Sequence, residues 1–358
     1  MRKPATVVRA ARAACALLSV AACAQGIDPQ REARPMETPG PSIGAARQGI
    51  GAQRWVISQA LDFNADGMAD VLWNDAGRGL VAVWLMEGTH LLAPGPFIPG
   101  PPGGRWFAKT SDFNVDGMAD VLWRHEEQGA MAVWLMEGTR LLAPGPILPG
   151  PPGEGWFARA IDYNADNMAD VLWSHGEQGV MAVWLMEGTR LLAPGPFIPG
   201  PLGDGWDVAS VGDFNADGMS DAVWHHAEQN LMAVWLMEGT RLLAPGPPIP
   251  GPLGDGWAIA WGADFNGDGM ADVLWNNAEQ NLMAVWLMEG TRLLAPGPFI
   301  PGPLGDGWVA RTAGDLNFDG MADVVWQKGE TSQMAVWLME GSELLAPGPV
   351  IPGPDGGG

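Results

Sequence analysis

Cysteine is nearly missing: Cys15 and Cys23 are the two in 358 residues, and both lie close to the N-terminus. The rest of the chain therefore has neither a disulfide framework nor a thiolate zinc site. Lysine occurs at Lys3, Lys109 and Lys328, and tyrosine only at Tyr163. Positive charge is scarce, with 19 Lys+Arg against 41 Asp+Glu and a formal net charge of −22. A nucleic-acid binder needs a basic footprint, so that class is excluded. The balance suits a soluble surface, or a protein that neutralises itself with cations. Beyond the N-terminus no run of about 18 consecutive apolar residues occurs, so no transmembrane helix is expected. Phosphate-binding-loop and His-Glu-x-x-His motifs are also missing. What is abundant is Gly (51), Pro (32), Trp (19) and Met (19). That much Trp excludes simple disorder, because disordered chains are poor in large apolar residues.

The N-terminus reads as an export signal over residues 1–23. Arg2, Lys3, Arg9 and Arg12 make a basic start, and an apolar run over residues 13–22 follows. The run is too short to span a bilayer, and the small residues after it fit a secretory signal. The stretch Val20-Ala21-Ala22-Cys23 resembles a bacterial lipobox, which implies diacylation of Cys23 and an outer-membrane or cell-surface lipoprotein. Ordinary cleavage near Ala24, giving a secreted protein, is the alternative. Loss of the four basic residues would take the charge from −22 to about −26. Residues 24–52, rich in Gly, Pro and Ala, read as a flexible linker, and residues 355–358 as a disordered tail.

Between them, residues 53–354 hold six copies of one unit. The segment beginning at Asp62 recurs at Asp112, Asp162, Asp213, Asp264 and Asp315, in steps of 50, 50, 51, 51 and 51 residues. Each copy carries three phased Trp (Trp106, Trp123 and Trp134 in the second), and Trp261 is the one left over. Four strand-like pieces are visible per copy. In the second copy they are residues 106–111, a piece opening at Val121, residues 131–136, and a Pro-interrupted piece from Leu141. In the third piece Met131, Val133 and Leu135 alternate with Ala132, Trp134 and Met136, so both faces are apolar. Such a sheet must be covered on both sides. The Pro-rich fourth piece suits an outer edge. The expected fold is all-β, a β-propeller of six four-stranded blades. A seven-bladed ring and a β-solenoid are the alternatives. Residues 55–60 precede the first acidic segment and either open the first blade or close the last.

The acidic segment carries the chemistry. Over nine positions, Asp62, Asn64 and Asp66 stand at one, three and five, Gly67 at six, Met68 at seven and Asp70 at nine. Alternating oxygen side chains in a tight loop converge on a point, and the carbonyl at seven can face inward. Ca²⁺ takes several oxygen ligands at about 2.3–2.6 Å, whereas Mg²⁺ keeps more water. The set recurs as Asp112, Asn114, Asp116, Met118 and Asp120; as Asp162, Asn164, Asp166, Met168 and Asp170; and as Asp213, Asn215, Asp217, Met219 and Asp221. Asp264, Asn266, Asp268, Met270 and Asp272, then Asp315, Asn317, Asp319, Met321 and Asp323, complete it. Position six is Gly except for Asn167, a residue that tolerates the left-handed backbone region. An EF-hand needs a Glu at position twelve between helices; here Trp73 and its counterparts stand there, inside a strand pattern. A metal-free acidic turn is the competing reading. About six structural Ca²⁺ are expected, which would bring about −26 to about −14.

These loops, with the following Val-Leu-Trp and Val-Trp-Leu-Met-Glu-Gly, resemble bacterial FG-GAP or VCBS-type repeats. Those are similar to the calcium-binding blades of the integrin α-subunit N-terminal propeller. The resemblance covers about residues 53–354, and the acidic loop carries most of it. It implies calcium in the loop joining strands one and two of each blade, held by the residues named above. Integrin propellers have seven blades, against six units here.

The copies differ most just after the second-strand Trp: Asn74-Asp75, Arg124-His125, Ser174-His175, His225-His226, Asn276-Asn277 and Gln327-Lys328. This turn is expected on the face opposite the acidic loops, as a ligand surface or as drift in an exposed turn. The phased Trp suit blade packing, with sugar stacking as the alternative. Glu137 and its counterparts recur in every copy, unlike the asymmetric carboxylate pair of a glycosidase, so no enzyme activity is expected. The function expected is that of an exported, monomeric binding or adhesion module with a protein or glycan ligand, touching a membrane only through a lipid anchor. A lectin-like carbohydrate-binding protein is the alternative.

Overall fold

Each repeat folds as a short antiparallel sheet, as its alternating and doubly apolar strands require. In the computed structural model, residues 55–305, 307–329 and 331–354 are described. They fall within one unit, Ser42–Gly358. The export signal, Cys23, the linker and the tail lie outside the described residues.

The first blade runs from an inner strand Val56–Leu61 to a second strand Asp70–Asp75, a third Leu80–Glu87, and an outer edge in two pieces, His90–Pro94 and Ile98–Pro99. Both outer pieces pair with the third strand, one at Trp84–Glu87 and the other at Leu80 and Val81. Proline lacks the N–H a continuous ladder needs, which breaks this edge in two and shields it. Five further sheets repeat the order, and in the last the second outer piece shrinks to one bridge between Met334 and Ile351. No helix occurs among the described residues. In the second blade the strands are Trp106–Ser111, Asp120–His125, Ala130–Glu137 and Arg140–Pro144. Each observed limit lies within a residue or so of the expected one.

The core lies between blades rather than within them. Phe63, Leu72, Val81, Val83 and Ile98 of the first blade pack against Trp106, Val121, Trp123, Trp134 and Met136 of the second. The same contact repeats around the ring, and Leu316, Val325, Met334 and Val336 of the sixth blade meet Trp55, Ile57, Trp73 and Trp84 of the first. The six blades therefore form a closed ring, and residues 56–61 belong to the first blade. All eighteen phased Trp are buried, which assigns them to packing; truncating one would cost about 3–5 kcal/mol. Gly100, between two prolines, leaves room for the next blade: a Cβ there would lie 2.5 Å from the Trp123 ring.

The change from 50- to 51-residue steps has a structural cause. From inner-strand Trp to acidic loop is seven residues in copies one, four, five and six, and six in copies two and three. The four longer copies each carry a bulge in the inner strand, at Ser58, Ala209, Ala260 and Arg311. A bulge inserts one residue into a strand without shifting the rest of the ladder.

The variable polar pairs are neither a free ligand ring nor an exposed turn, and that expectation is corrected here. Asp75, His125, His175, His226 and Asn277, five of the six second members, are buried, and Lys328 in the sixth is half-buried. Each of the five presents an acceptor to a backbone N–H three residues on: Arg78 to Asp75 Oδ1 (3.0 Å), Gln128 to His125 Nδ1 (3.2 Å), Gln280 to Asn277 Oδ1 (3.0 Å). Asp, His and Asn interchange in these five turns because each offers that acceptor; in the sixth, Thr331 N donates to the Lys328 main-chain carbonyl instead (3.4 Å). Several first members reach the following blade. Arg124 Nη1 donates to Trp156 O (2.9 Å), and Asn276 Oδ1 accepts from Ala310 N (3.1 Å). Gln327 crosses the ring closure: its Oε1 accepts from Ile57 N (3.0 Å) and its Nε2 donates to Trp55 O (2.7 Å). Gln327→Ala would leave the buried Ile57 N–H without its acceptor at the seam and remove one of the two donors to Trp55 O, the other being Ser332 Oγ (3.2 Å). A loss of about 2–4 kcal/mol in denaturant unfolding is expected, against about zero for Gln128→Ala on an exposed turn.

Candidate functional site: six acidic loops on one face

Each acidic loop joins the inner and second strands of its blade, so all six lie at one end of the ring. They are linked to one another. The N–H at position eight donates to the carbonyl at position one of the preceding loop, as in Ala119 to Asp62 (2.7 Å) and Ala169 to Asp112 (2.7 Å). Ser220 to Asp162, Ala271 to Asp213 and Ala322 to Asp264 follow, and Ala69 to Asp315 (2.6 Å) closes the circle. The turn between third and fourth strands joins in, with Gly138 N donating to Phe63 O (3.0 Å).

Within the first loop, Asp62 Oδ1 accepts from Asn64 N (3.0 Å) and Ala65 N (2.7 Å), and Oδ2 accepts from Gly67 N (2.8 Å). Asn64 Oδ1 accepts from Asp66 N (3.1 Å), and Asn64 Nδ2 donates to Asp66 Oδ2 (2.9 Å). Asp66 Oδ1 accepts from Met68 N (2.8 Å). The carboxylates are thus met by the loop's own N–H groups. Asp70 turns inward. It is fully buried, with Oδ2 accepting from Phe63 N (2.9 Å) and Oδ1 from Met86 N (2.9 Å). One carboxylate therefore ties the loop to the second and third strands. Asp120, Asp170, Asp221, Asp272 and Asp323 do the same in their blades.

Burial pushes the Asp70 carboxyl up to about 7; the charges of Asp66 and Asp62 add to this and the two backbone N–H bonds oppose it. The five counterparts behave alike.

Every donor named from the sequence is an oxygen on one of these loops, and a set of carboxylate, amide and carbonyl oxygens suits a hard cation. A carboxylate oxygen that accepts one N–H bond keeps a second lone pair to offer. Among the described residues, however, no three His, Cys, Asp or Glu side chains gather as a metal cluster. A cation here would rely on the Asn side chain and main-chain oxygens beside the carboxylates.

Two positions demand left-handed backbone. Position six has φ of 86° at Gly67 and 66° at Asn167, so Asn keeps the third loop's turn as expected. Position four has the same requirement, unnoticed in the sequence: φ is 58° at Ala65, 59° at Val115 and 61° at Phe318, while the fifth copy has Gly267 (φ 70°).

The FG-GAP-like repeat profile matches residues 62–123, 112–173, 162–224, 213–275 and 264–326, each match spanning two successive acidic loops. The chain belongs to the FG-GAP-like repeat family. It does so as a six-bladed β-propeller. No curated protein matches it in sequence. Among solved structures it is similar to an Agrocybe aegerita lectin that recognises non-reducing terminal N-acetylglucosamine. That match has TM-score 0.51 and 18% identity, covering 84% of this chain and 80% of the lectin. It is also similar to part of the Photorhabdus luminescens Tc holotoxin pore structure, with TM-score 0.51 and 18% identity, covering 82% of this chain and 14% of that one. At these identities the likeness is one of fold.

Two outcomes follow. Val115 holds a β-branched side chain in left-handed backbone, which costs an L-residue about 1–2 kcal/mol. Val115→Gly is therefore expected to stabilise the protein by about 1 kcal/mol in urea unfolding, whereas loss of stability would contradict the backbone assignment. The raised carboxyls bind protons more tightly folded (about 7) than at the ordinary aspartate value of 3.8. Their folded form holds more protons across that window, so cation-free stability falls as pH rises from about 4 through about 7. Thermal melts in chelator should show that fall, and added Ca²⁺ should abolish or reverse it. A chelated protein that gains stability across the same range would refute the buried-carboxyl account.

Proposed function

We propose that the chain is an exported, non-catalytic binding module: a monomeric propeller whose six acidic loops are pinned by calcium and whose repeated face engages a repeated ligand. The observation that carries this reading is the closed circle of hydrogen-bonded loops, six equivalent elements on one face. Equivalent sites on a rigid ring favour multivalent attachment, which multiplies weak single contacts. In each blade the first, third and fifth side chains, with the carbonyl at position seven and the inward Asp at nine, would hold the cation. Bound calcium would supply countercharge to the loop and stabilise the folded form by mass action. The six-fold recurrence of the carboxylates, already engaged by backbone N–H groups, speaks against an asymmetric acid–base pair. Display at the cell surface through Cys23, or secretion, completes the reading.

A lectin-like role is the second reading, consistent with the shared fold of the Agrocybe lectin. The phased Trp do not serve it, since all are buried; a sugar would have to meet the loops and turns instead. The test is binding of the calcium-loaded protein to a glycan array and, in parallel, to immobilised extracellular-matrix and cell-surface proteins. Saturable binding to a protein surface, lost in chelator, is the expected result. A discrete sugar preference would favour the lectin, and absence of any binding in calcium would contradict both readings.

A further inference from the structure

The six-fold likeness of the blades fails along the axis. Three residues after the inner-strand Trp stand Ser58, Lys109, Arg159, Ala209, Ala260 and Arg311 in turn around the ring. Basic residues thus occupy blades six, two and three, while blades four and five carry small ones. The unphased Trp261 is also on the inner strand of blade five. All six inner strands line an axial cavity of about 230 Å³, walled by Lys109 and Arg159 with Gln59, Ser210, Trp261 and Gly314.

This charge is out of keeping with the protein around it. From residue 55 onward there are only eleven Lys and Arg, and four of them sit in exposed Glu–Arg turn pairs. Lys109 Nζ donates to Ser58 O (3.1 Å) and stands 5.6 Å from the Trp261 ring centroid. Arg159 donates to Ala209 O (3.1 Å) and Ser174 Oγ (3.3 Å). Neither joins an ion pair among the described residues; Asp207 is the acid whose charge acts on Arg159. Burial, with the charges of Arg159, Arg311 and Arg124, pushes the Lys109 ammonium down to about 8. Desolvated like charges are costly to hold together unless an opposite charge joins them. The ammonium also has three donors and spends one on Ser58.

We propose that the axial cavity binds a small oxyanion ligand, a carboxylate or sulfate carried on a molecule about the size of one sugar ring. Lys109 and Arg159 hold the charge, and Trp261 and the small residues of blades five and six receive the ring. Perturbed cations converging in a concave site with an aromatic wall are the usual features of a ligand pocket. The site does not depend on the calcium reading, because none of its residues belongs to the acidic loops.

The test is isothermal titration of the protein with glucuronate, glucose 6-sulfate and neutral glucose, in calcium and again in chelator. Glucuronate, glucose 6-sulfate or both should bind and raise the melting temperature, and glucose should not. Binding of one alone identifies the oxyanion. Lys109→Met and Arg159→Met should each weaken that binding by about tenfold or more. Without ligand their melting temperature should hold or rise, since each removes a desolvated charge. Lys328→Met, away from the cavity, should leave affinity unchanged. Failure of both anions to bind in either buffer, glucose binding as well as they do, or undiminished binding by folded Lys109→Met would overturn the proposal.

Discussion

A strand that is apolar on both faces needs a partner on each side, and this need organises the whole molecule. Val81 and Val83 look toward one neighbouring blade while Ala82, Trp84 and Met86 look toward the other. No blade can satisfy both faces alone, and a row of blades would leave two apolar ends in water. Closure removes those ends. The sixth blade covers the first as the first covers the second, and Gln327 secures the seam with two backbone hydrogen bonds. The acidic loops form a second ring on one end of the first, joined by backbone bonds from loop to loop. Packing and loop geometry are thereby coupled: the inward carboxylate of each loop reaches the third strand that builds the core.

Much of this was legible in the sequence because repetition amplifies weak signals. A lone period-two pattern is ambiguous, whereas six in phase with Trp at fixed positions define strand, face and blade. The acidic loop was legible for the same reason, including the tolerance of Asn167 for a left-handed turn. Whether the ring closed, and at how many blades, depended on contacts between residues some 270 positions apart, which no local pattern encodes. The variable turn misled because polarity and variation suggest exposure. Its His, Asn and Asp are interchangeable buried acceptors, a role visible only once the N–H three residues on is in place. The self-satisfied loop carboxylates escaped notice likewise, because charge is countable in a sequence and backbone direction is not.

The departures from symmetry carry the most individual information. Bulges account for the 51-residue copies, and the residues they add stand near the axis. There the chain sets Lys109 and Arg159 against Trp261, in a protein otherwise dominated by acid. The outer strands, by contrast, repeat almost unchanged from blade to blade.

We propose that the loop ring is a calcium ring. Isothermal titration of Ca²⁺ into the chelator-stripped protein, with thermal melting alongside, tests it most directly. Six loops predict a stoichiometry of about six per chain and a large rise in melting temperature. No heat of binding and no change in melting would contradict it, leaving the loops as acidic turns held by their own backbone.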